Sequence, residues 1–154
     1  MIPELEVSRE IAASPEAVFA AITDITRMGE WSPENYACEW NEGHSEAKLG
    51  AMYTGHNRNG ENQWTTESKI TEFVPNERFV FDCLSRDFVF ATWGYNIEPT
   101  ADGCRVTELW QDHRPEAALE ISMKISGVGD RTEHNRAGMQ ATLERLAAAV
   151  EGAK

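Results

Sequence analysis

Residues 7–33 read VSREIAASPEAVFAAITDITRMGEWSP, a strand that runs directly into a capped helix and then into a Trp-Ser-Pro turn. Leu5, Val7 and Ile11 alternate with Glu4, Glu6, Ser8 and Glu10, the period of a half-buried strand, and Arg9 falls on its apolar parity. Ser14 is placed to accept a hydrogen bond from the first helical turn. Pro15 stands where its missing N–H costs nothing, and Glu16 complements the positive end of the helix dipole. Ala17, Val18, Ala21, Ile22 and Ile25 follow at helical spacing, so one face of this segment packs onto something apolar.

Downstream the pattern changes to strands. Tyr36, Cys38 and Trp40 alternate with Ala37, Glu39 and Asn41 and end at Glu42-Gly43. Strands over 51–57 and 63–74 flank Asn59-Gly60, the strongest short hairpin signal. Further strands are predicted over 78–84, 88–98 and 104–113, separated by turn chemistry at Pro75-Asn76-Glu77, Ser85-Arg86-Asp87 and Pro99 to Gly103. Residues 116–125 have helical propensity that Gly127-Val128-Gly129 interrupts, as expected of a mobile edge or hinge. From Asp130 to near Gly152 a helix presents Met139, Leu143, Leu146, Ala147 and Val150 on one face. A meander of antiparallel strands cannot bury both faces alone, so this helix must lie across its concave side.

The composition narrows the function classes. The 154 residues are read as one domain, 1–154, large enough to bury roughly 68–70% of the unfolded chain's surface and still hold a cavity. The 26 acidic and 14 basic side chains leave a net charge of −12, which repels a phosphate backbone and an anionic membrane surface. Cys38, Cys83 and Cys104 are odd in number and unpaired in spacing, which fits a reducing, cytoplasmic setting. No apolar run approaches the ~20 residues of a membrane span. His44, His56, His113 and His134 fall on different elements, so no metal or other cofactor is expected.

Motifs for nucleophilic, metal or phosphate chemistry are absent. The predicted inner face is more informative. Val106, Glu108 and Trp110 share a parity, and because Val106 belongs inside, Glu108 belongs there too. A carboxylate between two apolar neighbours needs a partner or must take up a proton. Trp93, Tyr95 and Ile97 share a second parity, and Trp64, Thr66, Ser68 and Ile70 a third. Aromatic walls carrying a few hydroxyls suit a flat, mostly apolar ligand with oxygen substituents, although core packing alone also accounts for them.

Taken together, IAASPEAVFAAITD, EWSP, YTGHNRNG, WTTE, WGYNIEP, DGCRVTE and GMQATLERL resemble the START-like, helix-grip (SRPBCC) superfamily, in its polyketide cyclase/dehydrase-like branch. The resemblance spans nearly the whole chain. It implies an α+β helix-grip fold: a curved seven-stranded antiparallel sheet wrapped around a long C-terminal helix, two short helices after the first strand, and a ligand cavity between. It also sets the first and last strands side by side, making Arg9 the partner of Glu108, and turns Tyr53 and Asn57 inward.

The expected function is binding or transport of a hydrophobic, lipid- or polyketide-like small molecule by a monomer or homodimer, without membrane insertion or nucleic acid. Its expected ligand-binding residues are Arg9, Tyr53, Asn57, Trp64, Trp93, Tyr95, Glu108, Trp110 and Met139. The alternative is an aromatase/cyclase or dehydrase in which Glu108 is the acid or base, Tyr95 a hydroxyl donor, and Arg9 and Asn57 polarising groups. Between an ion-paired structural Glu108 and a catalytic one, the structural role is expected.

Overall fold

The computed structural model describes residues 1–151, so the expected helix end near Gly152 lies outside the described residues. The opening strand is β1 (Leu5–Ile11), followed by helix α1 (Pro15–Thr23) and a 3-10 turn over Ile25–Glu30. Ser14 caps α1 by accepting the Ala17 N–H at 3.1 Å, with Pro15 at the first helical position. Six further strands follow: β2 (Asn35–Trp40), β3 (Met52–Asn59), β4 (Asn62–Val74), β5 (Arg78–Ser85), β6 (Phe88–Thr100) and β7 (Gly103–Asp112). Helices α2 (Glu116–Ser126) and α3 (Arg131–Glu151) complete the chain. None of the described helices is long and apolar enough to cross a membrane.

All seven strands form one antiparallel sheet in the order β1-β7-β6-β5-β4-β3-β2. Short turns make neighbours of consecutive strands from β3 to β7, a longer loop over 41–51 joins β2 to β3, and β1 reaches across to pair with the last strand. Register irregularities at Asn35/Ala37, Ile70/Glu72 and Cys83/Leu84 are the bulges that bend long strands into a half-barrel. The Asn-Gly hairpin is present. Asn59 pairs with Asn62, so Gly60 and Glu61 form the loop, and Gly60 supplies the positive φ that a first loop position of type II′ requires.

Helix α3 lies on the concave side. Asp130 starts it, its carboxylate accepting the Glu133 N–H at 3.1 Å. Met139, Leu143, Leu146, Ala147 and Val150 are all buried, and the helix packs on β1, β7 and α1. This burial covers the C-terminal half of the helix. The N-terminal half faces the space bounded by β3 to β7, and there the groove is not filled by helix side chains.

Arg9 departs from expectation. Direct pairing sets Arg9 opposite Val106, while Glu108 stands opposite Val7. Because β1 is the edge of the sheet, a long side chain on its inner parity can leave sideways, and Arg9 is solvent-exposed. Arg9 is not among the groups that act on Glu108, and the expected ion pair does not form. The hydration of a guanidinium favours the open edge over burial beside α3.

Candidate ligand cavity

A cavity of about 490 Å³ lies between the concave face and the N-terminal half of α3. That volume falls within the range of roughly 300–1,000 Å³ typical of small-molecule sites. Trp64 and Asn57 reach it from β4 and β3, Trp93 and Tyr95 from β6, Glu108 and Trp110 from β7, Tyr53 from β3 and Met139 from α3. The structure thus brings eight of the nine sequence-derived positions to one cavity and leaves Arg9 outside it. The alternation of β6 and β7 makes this possible: Trp93 pairs with Trp110, and Tyr95 with Glu108. The two indoles stack obliquely, their centroids 6.2 Å apart and their planes at 40°.

Glu108 is 3% exposed and has no cationic partner. Burial disfavours its charged form and pushes its carboxyl from the ordinary 4.5 up to about 8, against the smaller opposite effect of a hydrogen bond from Tyr95. At neutral pH the side chain is therefore mainly a neutral carboxylic acid that both donates and accepts. Burial, followed by the neighbouring Glu108, holds the Tyr95 phenol well above its usual range, so this hydroxyl remains a donor. Cys83, also on the wall, is pushed up to about 12, chiefly by burial, and is not a nucleophile at physiological pH.

Two further polar side chains belong to residues of the wall. The Asn135 amide nitrogen is fully buried without a hydrogen-bond partner, and the Tyr53 hydroxyl is fully buried with Ser68 as its polar neighbour. Tyr53 is locked between Trp40 and Phe81 in edge-to-face contacts at 5.8 and 5.7 Å. Asn57 differs. Its oxygen accepts from Asn35 at 3.2 Å and its nitrogen donates to Thr66 at 3.3 Å, so both ends of the amide are already engaged by the wall.

Sequence reasoning missed the polar end of the cavity, formed by Glu34, Arg131, His134 and Asn135. Glu34 accepts from Arg131 at 2.7 Å and from His134 at 2.9 Å. The signal was present in the helix period. Extending the Met139 stripe backwards by four gives Asn135, and by four again Arg131.

Helix α2 forms the outer edge of the opening. Arg114, paired with Asp112 at 2.7 Å, donates to Ser122 at 2.9 Å, and Asn59 donates to the Ser126 carbonyl at 2.9 Å. Gly127, at φ +74, ends the helix in a left-handed cap. Ile121, Ile125 and, across the opening, Phe88 line the rim with their side chains largely exposed.

A half-barrel gripping a long helix over a partly apolar cavity defines a helix-grip ligand-cavity domain. The family model described as polyketide cyclase/dehydrase and lipid transport matches residues 3–151, and the chain belongs to that family. The polyketide cyclase-like protein Cgl2372 of Corynebacterium glutamicum is 30% identical over 96% of this chain and 82% of its own, with a TM-score of 0.52. Protein CV1439 of Chromobacterium violaceum shares the fold at a TM-score of 0.72 and 22% identity, over 97% of this chain and 99% of that one. The di-domain aromatase/cyclase StfQ of the steffimycin biosynthetic pathway shares it at 0.74 and 15% identity, over 96% of this chain and 50% of StfQ. No curated protein matches the chain significantly.

Proposed function

We propose that the chain binds a flat, largely apolar small molecule bearing oxygen substituents, of lipid- or polyketide-like character, in the cavity between α3 and the sheet. The observation that carries this reading is the cavity of about 490 Å³ walled by Trp64, Trp93 and Trp110, with Tyr95 and Glu108 among its lining residues. Apolar walls supply affinity, and a few placed donors supply orientation. Membership of a family that includes lipid transport is consistent with it.

Ala91 offers a direct test. It lines the cavity on the same strand parity as Trp93 and Tyr95. Ala91→Trp should fill the space at a cost of about 1–3 kcal/mol in stability, the usual range for enlarging a buried side chain, with the native circular dichroism spectrum retained. Native mass spectrometry of the purified wild type should then show a reproducible small molecule that the variant lacks. Equal occupancy of the two proteins would refute binding in this cavity.

A second reading is acid/base catalysis, favoured by the buried Glu108–Tyr95 pair. In its ionised fraction Glu108 would take a proton from a methylene flanked by two carbonyls and return it to the receiving carbonyl oxygen as the carbon–carbon bond forms. The carboxylate so regenerated would take the second proton of that carbon and pass it to the new hydroxyl, which leaves as water. Arg9, exposed on β1, has no part in this scheme, and Asn57 is occupied by its neighbours. Under this reading, Glu108→Gln should abolish cyclisation of a short poly-β-ketone thioester while leaving its affinity within about twofold, since only proton transfer is lost. Unchanged turnover would exclude the catalytic role.

A further inference from the structure

Among the described residues, three carboxyl groups line the cavity, those of Glu34, Glu108 and Asp112. Two of them have a guanidinium of their own. Arg131 joins Glu34 through Nη1 at 2.7 and 3.0 Å, where His134 also reaches the carboxylate at 2.9 Å. Arg114 grips both oxygens of Asp112, at 2.9 and 2.7 Å. Glu108 is the odd one out. Burial and the Tyr95 hydroxyl are what act on it, and neither arginine nor His134 does. Val7 stands opposite it on β1, and the α3 residues that line the cavity beyond Asn135 are Gly138, Met139 and Thr142, all uncharged. Tyr53 and Cys83, the other titratable groups of the wall, are kept protonated chiefly by burial.

The surroundings of Glu108 complement a cation. Among the described residues, the side-chain polar atoms enclosed without a partner belong to His44, Tyr53 and Asn135. The Glu108 oxygens are not of that kind: the residue is 3% exposed, yet it forms part of the cavity wall. Trp110 is the next inward residue along β7, and Trp93 pairs with it from β6. Both indoles line the cavity, 6.2 Å apart and inclined at 40°. Indole faces attract a cation through their quadrupole, and a carboxylate beside them supplies the opposite charge.

We infer that the cavity takes a ligand with a cationic nitrogen, an amphipathic organic ammonium, and that the Glu108 carboxylate is its counter-ion beside Trp93 and Trp110. This rests on the proposed binding role and adds a charged group to its ligand. A carboxylate buried alone is strongly disfavoured, and an incoming ammonium supplies the charge that the fold withholds. The proton that must leave is loosely held. With the carboxyl at about 8, roughly a quarter of the population is already ionised at pH 7.5. The excess of 26 acidic over 14 basic side chains also favours the approach of a cation over that of an anion.

The test uses three probes that differ in one group: 2-(aminomethyl)anthraquinone, 2-(hydroxymethyl)anthraquinone and anthraquinone-2-carboxylate. Each is titrated against the wild-type chain at pH 7.5, with quenching of tryptophan emission as the readout. The ammonium should bind at least about tenfold more tightly than the alcohol, as expected of a desolvated, charge-assisted contact, and the carboxylate more weakly than either. Binding the ammonium must displace the proton that Glu108 holds below about pH 8, so raising the pH favours it. Its affinity should rise about tenfold from pH 6 to pH 7, the limit for release of one proton, while that of the alcohol stays level. Glu108→Gln keeps the shape and removes the charge. It should bring the ammonium to within about threefold of the alcohol, the remainder being the attraction of the acidic chain as a whole, and abolish the rise. A rise that survives in Glu108→Gln would come from the Glu34–His134 cluster and overturn the assignment; the wild-type pH series stands even if the variant does not fold. Ammonium bound no more tightly than the alcohol, or carboxylate bound most tightly, would overturn the inference while leaving the binding role intact. Failure of all three to bind would count against the binding role itself.

Discussion

Between pH 5 and pH 8 the wild-type protein should lose stability steadily, and Glu108→Gln should largely abolish that loss. The folded carboxyl titrates at about 8 and its ordinary value is 4.5, so between these values the native state holds a proton that the unfolded chain has released. Unfolding then liberates a proton, and rising pH favours it. The stabilising contribution is complete below about pH 4.5, is lost progressively up to about pH 8, and is flat above. At about 1.36 kcal/mol per pH unit the full loss comes to about 5 kcal/mol, an upper figure for a group with no compensating cation. Other groups titrate over the same range, so the measurement is the difference between the urea stability curves of wild type and Glu108→Gln. Parallel curves from pH 5 to 9 would show that Glu108 is not buried as a neutral acid. Tyr95→Phe supplies a directional control. The Tyr95 hydrogen bond lowers the Glu108 value, so its removal should move the midpoint of the difference curve to higher pH.

Gly103→Ala should destabilise the fold by about 4 kcal/mol or more, beyond the usual range for an added methyl group. A Cβ at Gly103 would lie 2.1 Å from the Ile11 carbonyl oxygen and 2.8 Å from the Ala13 nitrogen. Both neighbours are backbone at the end of β1, where Ile11 pairs with Cys104, so relief requires β1 to separate from β7. Loss of that contact would also undermine α3, which packs on both strands. Gly43 is the matched comparison. It has φ +87 but nothing within 4 Å of its Cβ position, so Gly43→Ala meets only conformational strain, about 1 kcal/mol. Equal losses in the two variants, measured by urea denaturation, would show that the β1–β7 junction is not a close approach.

Much of the architecture was legible because its signals are local. The Ser14-Pro15-Glu16 start of α1, the alternation of β1 and β7, the turn residues at Pro75 to Glu77 and at Ala101 to Gly103, and the stripe from Met139 to Val150 each lie within a dozen residues. The hairpin after β3 falls within the expected connection over 58–62, with the strands extended by pairing so that Gly60 and Glu61 alone form the loop. Asn59-Gly60 and Gly60-Glu61 are both workable loop centres, and cross-strand pairing of Asn59 with Asn62 selects the second.

The inward parity of Glu108 was also local, following from Val106 and Trp110 on either side. Its chemical state was not. Whether a buried carboxylate meets a cation depends on where a distant side chain goes, and Arg9 on the edge strand turns to solvent. The polar end of the cavity has the same origin: Glu34 and Arg131 are 97 positions apart, and only the closure of α3 over the half-barrel brings them together. Sequence by itself determined the order of the strands and helices, the faces they bury and the aromatic walls, because periodicity and turn chemistry act between near neighbours. Tertiary structure alone decided which charges are paired, which donors remain idle and how much space is left unfilled, because electrostatics and packing act between residues that only the folded chain brings into contact.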